Sequence, residues 1–268
     1  MLRVFLASSF GLMGLMAVSA PASPLKAAEI MPHRANYLLE LRSAEQGSGI
    51  SDVRGVMSIE LVAACDGWTL QHRMRLEVQH RTGQVMEMDT DFTSWETRDG
   101  RTFQFESRSR QNGSVIEEIS GRAELAGAGK GGTISYTKPE EKRLDLPAGT
   151  MFPVAHTRLV IDEAMSGKSL MWNSIFDGTS EEGGYGVSTI IGAPVSTQGV
   201  NLPPLVGSRA WPVKQAYFGP GKTQEVPEFE FASKMNDGGV TFDITLDYGS
   251  FTLDATLKQI EALPAPDC

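Results

Sequence analysis

Two short segments contain residue types that serve phosphate binding or catalysis in other proteins. Ser166–Ser169 includes the Gly-Lys-Ser of a phosphate-binding loop, but that loop needs a glycine five positions before Gly167, where this chain has Asp162. Ser135–Lys138 has the Ser-x-x-Lys spacing of penicillin-binding enzymes, in which the serine opens a helix. Here the segment resembles the end of a strand before Pro139. We therefore attribute both matches to chance.

The remaining candidates for catalysis or metal binding are the four histidines, His33, His72, His80 and His156. A metal site needs three or four converging ligands, and no two of these histidines lie at ligand spacing on one helical face. His156 is the best polar candidate because Arg158 and Asp162 are close to it in the sequence. A structural histidine is the alternative. The sequence thus identifies no catalytic, metal or cofactor site, and we expect a protein that is not an enzyme.

The N-terminus has the order of a secretory signal peptide. Arg3 precedes an apolar run, and Ala20-Pro21-Ala22 supplies the small residues of a cleavage site. Residues 1–22 are therefore predicted to be removed on export, which leaves residues 23–268 as a single exported β domain. The apolar run is short for a membrane span, so we expect no stable span after cleavage. An uncleaved N-terminal anchor is the alternative.

Export changes the meaning of the two cysteines, Cys65 and Cys268. In an oxidising compartment an even number of cysteines indicates a disulfide, and two cysteines allow one connectivity. We predict a Cys65–Cys268 bond, which on the chain-entropy model would destabilise the unfolded chain by at most roughly 5 kcal/mol. Two free thiols are the alternative. A redox-active pair is disfavoured because such cysteines usually lie close together near basic groups.

The composition argues against two classes of partner. The formal net charge is −9 and the pI is near 5.0, which argues against binding to nucleic acid or to anionic lipid head groups. The length suffices for one large β domain with a proper core.

Most of the chain reads as strands and tight turns. The clearest strand alternates an apolar set with a polar set: Val240, Phe242, Ile244, Leu246 and Tyr248 against Thr241, Asp243, Thr245 and Asp247. Asp99-Gly100, Asn112-Gly113 and Asp237-Gly238 favour the tight turns that join antiparallel strands. The pattern predicts an all-β chain of about a dozen strands.

One segment, residues 153–166, departs from the strand pattern. Pro153 suits the first position of a helix and Gly167 suits a C-terminal cap. Between them lies a broad apolar stripe with few turn residues. We predict the only substantial helix here, and a lone helix in an all-β chain usually plugs or covers an open sheet.

Several segments together resemble the cell envelope integrity protein B family of alphaproteobacterial periplasmic proteins. They are, in chain order, HRANYLLEL, MSIELVAACDGW, DFTSWETRDGRTFQF, LPAGTMFPVAHTRLVIDEAMSGK, FDG, WPVKQAYF and IEALPAPDC. The resemblance implies a long antiparallel sheet wound into a spiral, or broken barrel, with the helix of residues 153–166 at its centre. It also implies a disulfide between Cys65 and Cys268, and a role in maintaining the cell envelope under stress without known catalysis.

Three functions remain open on the sequence. The first is a non-enzymatic periplasmic protein that supports envelope integrity and stress resistance by binding a lipid-like ligand or an envelope partner. The predicted apolar cavity residues are Leu159, Ile161, Met165, Trp172 and Phe176, although these side chains could equally fill the core. The second is a scaffold that binds proteins through strand edges or through residues 216–229. The third is a hydrolase of envelope polymers that would depend on His156.

Overall fold

The computed structural model describes residues 29–127, 129–198, 206–207, 209–219 and 226–268. The predicted signal peptide, residues 1–22, lies outside these ranges and stays a prediction. Nine strands precede the helix: β1 (His33–Ala44), β2 (Ile50–Ala63), β3 (Gly67–His80), β4 (Val85–Thr97), β5 (Thr102–Gln111), β6 (Ser114–Leu125), β7 (Gly132–Lys138), β8 (Lys142–Leu146) and β9 (Thr150–Met151).

The helix and seven further strands complete the described part of the chain. They are α1 (Pro153–Ser166), β10 (Leu170–Ile175), β11 (Tyr185–Ile191), β12 (Val195–Ser196), β13 (Arg209–Phe218), β14 (Phe229–Asn236), β15 (Thr241–Asp247) and β16 (Phe251–Ala262). The observed helix has the bounds that the sequence predicts.

All strands belong to one sheet. The order is β8-β7-β6-β5-β4-β3-β2-β1-β16-β15-β14-β13-β11-β10-β9, with β12 paired to β13. Neighbours are antiparallel except for the short β9–β10 pair, which is parallel. Because β1 pairs with β16, the first and last strands lie side by side and the sheet curls into a barrel-like shell. The prediction of a long antiparallel sheet forming a broken barrel is confirmed.

Tight turns form where the sequence predicts them. Asn112 and Gly113 between β5 and β6 have φ angles of 49° and 78°, in agreement with the positive values of a type I′ turn. In β15 the predicted alternation holds, since Phe242, Ile244 and Leu246 are buried. Near Asp243, whose φ is 49°, the register of β15 against β14 shifts by one residue. The bulge is a local irregularity that the alternation does not reveal.

The residues at its two ends determine where helix α1 begins and ends. Pro153 occupies its first turn, and Gly167 adopts the left-handed conformation (φ 85°) that closes its C-terminus. The Gly167 and Lys168 N–H groups donate to the carbonyls of Ala164 and Glu163. The buried face of the helix consists of Val154, His156, Val160, Ile161 and Ala164.

The helix lies inside the shell. Its apolar face packs against buried side chains from both halves of the sheet: Leu61, Ala63 and Trp68 on β2 and β3, and Met171, Ile191, Trp211, Val213 and Met235 on β10 to β14. A second cluster beside it contains Phe103, Phe105, Phe152 and Phe176. The helix is therefore central, as the family resemblance implies.

The two ends of the sheet, β8 and β9, leave a seam that side chains bridge. The Tyr136 hydroxyl donates to the Ser180 carbonyl (2.8 Å), and the Lys142 ammonium donates to the Glu181 carbonyl (3.0 Å). Phe176 lies edge-on to Phe105 with their ring centroids 5.2 Å apart. These contacts hold the barrel almost shut without strand pairing across the seam.

The predicted Cys65–Cys268 disulfide is present. It joins the β2–β3 turn to the C-terminal residue over a sequence separation of 203, with the Cα atoms 5.7 Å apart. Just before it, the Leu263 N–H donates to the Pro32 carbonyl (2.9 Å), so the segment after β16 runs along the chain before β1. The bond thus fastens the end of the β1–β16 pair.

Replacement of Cys268 by serine should lower the free energy of unfolding by about 2–5 kcal/mol under oxidising conditions, because the bond closes a very long loop in the unfolded chain. Chemical denaturation with and without reductant measures the effect. The double variant Cys65→Ser/Cys268→Ser serves as the control and should match the single variant. Equal stabilities of wild type and Cys268→Ser in oxidising buffer would contradict this account.

Candidate ligand cavity

Strand pairing determines which side chains face the interior. Trp68 packs against α1, and alternation along β3 places Leu70, His72 and Met74 on the same side. Across β2 these residues pair with Leu61, Ile59 and Met57, which also face inward. The inner wall therefore follows directly from the register of β2 and β3.

Part of this inner wall remains in contact with solvent. Leu70, His72 and Met74 are half-buried although they point inward, and so are Tyr217 and Phe231 on the opposite wall. Burial nevertheless lowers the pKa of His72. A side chain that is enclosed by protein yet touches solvent lies on the wall of an internal space. The helix consequently fills only part of the shell.

A cavity of about 220 Å³ lies between the first turns of α1 and the sheet. Its lining comes from six strands and the helix: Ile30, His33, Ile59, Leu61, Leu70, Pro153, Val154, Thr157, Gln215, Tyr217, Phe231, Met235, Gly239 and Thr241. The lining is mostly apolar. None of these residues is an aspartate, glutamate, lysine or arginine, so the cavity wall carries no permanent charge.

The polar side chains of the cavity are neutral, and those of His33 and Thr157 are engaged within the protein. His33 Nδ1 lies 2.7 Å from the Met31 carbonyl, and burial lowers the pKa of His33, which keeps the imidazole uncharged near neutral pH. Thr157 donates its hydroxyl proton to the Pro153 carbonyl (2.9 Å). Burial raises the pKa of Tyr217. The cavity therefore suits an uncharged apolar group.

An aromatic row continues from the cavity toward the far end of the shell. It consists of Tyr185, Tyr217, Phe229, Tyr248 and Phe251, whose successive ring centroids are 6.0, 5.7, 5.1 and 5.2 Å apart. The half-buried Met74, Met86 and Met88 pack in the same region. Methionine and aromatic side chains together give an adaptable apolar surface.

The N-terminus of α1 is capped by a residue from another strand. Phe152 precedes the helix and offers no side-chain hydrogen bond. Instead, the buried carboxylate of Glu96 on β4 accepts the N–H groups of Val154 (2.7 Å) and Ala155 (2.8 Å). Burial raises the pKa of Glu96 from 4.5 to about 7, although these hydrogen bonds and Arg158 favour the charged form. This side chain fixes the helix end that borders the cavity.

The sequence analysis did not identify Glu96 as a buried residue that caps the helix, although the strand pattern contains a signal for its burial. Phe92, Ser94 and Glu96 occupy alternate positions on β4 and all face inward. A glutamate that continues the buried set of a strand needs a hydrogen-bonding partner. Its position in the pattern could have marked it as buried, whereas its partner, the start of a helix 58 residues later, has no sequence signature.

His156 lies on the buried face of α1. Burial lowers the pKa of His156 to about 4, so its imidazole is neutral near pH 7. Its Nε2 atom is buried and has no hydrogen-bond partner in the described protein. Within the described ranges, no group of three or more His, Cys, Asp or Glu residues could hold a metal ion. The position favours a packing role for His156, and its chemical role stays a prediction.

The structure does not bring the five predicted cavity residues together around one space. Ile161 (1% exposed) and Leu159 pack in the cluster around α1, whereas Phe176 (0%) belongs to the second cluster beside it. Met165 and Trp172 are exposed, at 42% and 63%.

Strand alternation explains the outward position of Trp172. Its neighbour Met171 is the inward residue of β10, and Trp172 instead packs beside Phe218 on the outside, with ring centroids 5.4 Å apart. Met165 lies in the last turn of α1, where its side chain is exposed. The observed cavity uses the first turns of the helix and the walls of β2, β3, β13 and β14.

Helix α1 is the one α-helix in the part of the chain that the structure describes. Among the residues that the structure describes, no helix has the length and apolar character required to cross a membrane.

These observations define a class: an antiparallel barrel-like shell that encloses one helix and a small apolar cavity. A crystal structure of a beta-barrel-like protein of a domain of unknown function, from Brucella abortus, has the same architecture. Its TM-score is 0.81 at 28% identity, over 89% of this chain and all of that one.

The sequence comparison identifies the family. The EipB-like family model matches residues 24–264, and the chain belongs to the EipB-like family. It is 30% identical over 248 residues to the cell envelope integrity protein EipB of Brucella abortus (strain 2308), covering 90% of this chain and 87% of that protein. These relatives are named for envelope integrity and for a barrel-like fold, not for a catalytic activity.

Glu96 should make stability depend on pH. Because its pKa is higher in the folded protein than in the unfolded chain, its contribution is fully present below about pH 4.5 and is lost as the pH rises to about 7. The loss is about 3 kcal/mol. Glu96→Gln should remove this pH-dependent contribution. Denaturant unfolding at a series of pH values measures the free energy of unfolding of both proteins.

The difference between wild type and variant isolates Glu96. His33, His72 and His156 have lowered pKa values and therefore give the opposite slope in both proteins. Glu87→Gln, on the exposed side of β4, is the control for loss of a negative charge. Parallel stability profiles for wild type and Glu96→Gln across this range would contradict the assignment.

Proposed function

We propose that this chain is a non-catalytic periplasmic protein that supports envelope integrity by holding the apolar part of a lipid-like ligand beside α1. The family membership supports an envelope-related role. The observation that supports a lipid-like ligand is the uncharged, mostly apolar cavity of about 220 Å³ inside the shell. Apolar cavities with a few convergent polar groups are the usual form of small-ligand sites.

The size of the cavity limits what enters it. Sites for whole small molecules usually measure about 300–1,000 Å³, so this cavity accommodates the end of one acyl chain rather than a complete lipid. The aromatic row offers the adjoining surface for the rest of the chain. A charged head group has no counter-charge on the cavity wall and remains nearer the far end of the shell.

A protein-binding scaffold is the alternative. The free strand edges are short, with five residues in β8 and two in β9, and contacts across the seam cover them in part. Of the loop 216–229, residues 220–225 lie outside the described ranges. The hydrolase alternative depends on His156, whose buried Nε2 has no hydrogen-bond partner among the described residues to orient it. The cavity gives the ligand hypothesis the better support.

Laurate is a suitable probe, because its single twelve-carbon chain carries no group other than the terminal carboxylate. Native mass spectrometry should detect one laurate per wild-type molecule. Leu70→Trp fills the cavity from the wall and should weaken binding about tenfold or more, since an occupied cavity excludes the chain. Leu170→Trp, at an exposed position (61%) of β10, is the matched control and should bind like wild type.

Thermal unfolding of all three proteins shows that the variants are folded. Absence of bound laurate on folded wild type, at concentrations up to its solubility limit, would contradict the ligand proposal. Equal binding by Leu70→Trp would contradict the location.

A further inference from the structure

A second concave site lies on the outer face of the sheet. It is an open groove of about 550 Å³ across β3 to β7, on the opposite side from α1. We call it the outer groove. Its outward-facing lining is Thr69, Thr93, Trp95, Gln104, Glu106, Ser120, Arg122, Ser135 and Thr137, and Gly121 and the inward-facing, buried Ser94 and Phe105 complete it. Unlike the internal cavity, this lining is rich in hydroxyl groups and includes the amide of Gln104.

The outer groove is organised around a row of cross-strand paired residues. Thr69, Trp95, Gln104, Arg122 and Ser135 are consecutive cross-strand partners on β3, β4, β5, β6 and β7. Adjacent strands lie about 4.8 Å apart, so the row extends roughly 19 Å. Polar side chains on either side of a single aromatic residue therefore recur at a regular spacing across five strands.

The absence of a side chain at Gly67 leaves room for the indole of Trp95. At Gly67, a Cβ atom would lie 2.7 Å from the indole Nε1 and 2.9 Å from Cε2 of Trp95. The indole therefore leans over the backbone of β3 and occupies the space that any larger residue at 67 would need. Trp95 remains half-exposed in this position. The arrangement presents a fixed aromatic surface in the groove.

Several polar groups around Trp95 lack a protein partner. The side chains of Thr69, Thr93, Gln104 and Ser135 make no hydrogen bond to another group in the described part of the protein, whereas Ser120 and Thr137 bond to each other (2.9 Å). The four unpaired groups offer three hydroxyls and one amide. Each of them can both donate and accept hydrogen bonds.

The charged groups of the groove are balanced. Arg122 pairs with Glu124 (2.8 Å), and Glu106 lies 3.7 Å from Arg108. The groove consequently has no excess charge to attract phosphate or a polyanion. Apart from Trp95 its exposed lining is polar, which disfavours an acyl chain.

These properties match the chemistry of a sugar. A pyranose ring presents C–H groups on its face, which pack on an aromatic ring, and hydroxyl groups at its edge, which exchange hydrogen bonds with neutral side chains. The spacing of the row, about 4.8 Å, is close to the length of one ring in an extended, β-linked chain. An α-linked chain coils and does not match this repeat.

We propose that the outer groove is a binding site for an extended, uncharged, β-linked glycan, with one sugar ring stacked on Trp95. Gln104 and Thr69 lie on either side of that ring and exchange hydrogen bonds with its hydroxyls. Ser135 contacts a ring farther along the chain. The site does not rest on the internal cavity, because the two lie on opposite faces of the sheet.

The probe is the β-1,4-linked tetramer of N-acetylglucosamine, with cellotetraose and maltotetraose for comparison. Titration followed by two-dimensional amide NMR should show millimolar or tighter binding of the β-linked oligomers, with shifts on β3 to β7. The α-linked maltotetraose should bind more weakly. Trp95→Ala should weaken binding about tenfold, and Trp95→Phe should retain most of it, because a phenyl ring still offers a stacking face.

Trp172→Ala is the matched control, since it removes an exposed tryptophan (63%) outside the groove. It should bind the oligomers like wild type, and Trp95→Ala should bind laurate like wild type. Absence of shifts on β3 to β7 with all three sugars would overturn the proposal. Unchanged affinity in folded Trp95→Ala, or equal affinity for the α-linked sugar, would overturn it as well.

Discussion

The antiparallel pairing of β1 with β16 is the contact on which the rest of the structure depends. The two strands run side by side from His33–Ala262 to Ala44–Phe251, and they join two meanders that would otherwise be separate sheets. The largest apolar cluster takes its members from both sides of this junction. The Cys65–Cys268 bond lies just beyond one end of the pair. An interior exists only because these distant strands close the shell.

The space inside that shell exceeds what the helix can occupy. With 14 residues, α1 is about 21 Å long, and its apolar face contacts the half of the interior that contains Trp68 and Trp211. Glu96 fixes the first turn of the helix against β4. The helix therefore cannot slide along the shell to fill the remaining volume, and the cavity beside Leu70 follows from the mismatch between one short helix and a long sheet.

Local chemistry accounts for the parts of the fold that the sequence predicts. Alternation gives the strands, Asn112-Gly113 gives a hairpin turn, and Pro153 with Gly167 gives the bounds of the helix, because each depends on neighbouring residues alone. The cavity residues could not be chosen in this way. Ile161, in the helix, and Leu70, in the wall, are both apolar. Only the rotation and depth of α1 inside the sheet decide that Ile161 packs in the core and Leu70 borders the space.

Alternation also explains how one pair of strands can serve two unlike surfaces. On β3, Leu70 faces the apolar interior and Thr69 faces the outer groove. On β4, Phe92 faces the interior and Trp95 faces the outer groove. Successive residues of a strand point to opposite sides, so the backbone separates the two environments completely. Selection for an apolar lining inside then places no restriction on the polar groups outside. The acyl-chain site and the sugar site that we propose therefore lie on opposite faces of one sheet, and a change in the side chains of one face leaves the other face as it is.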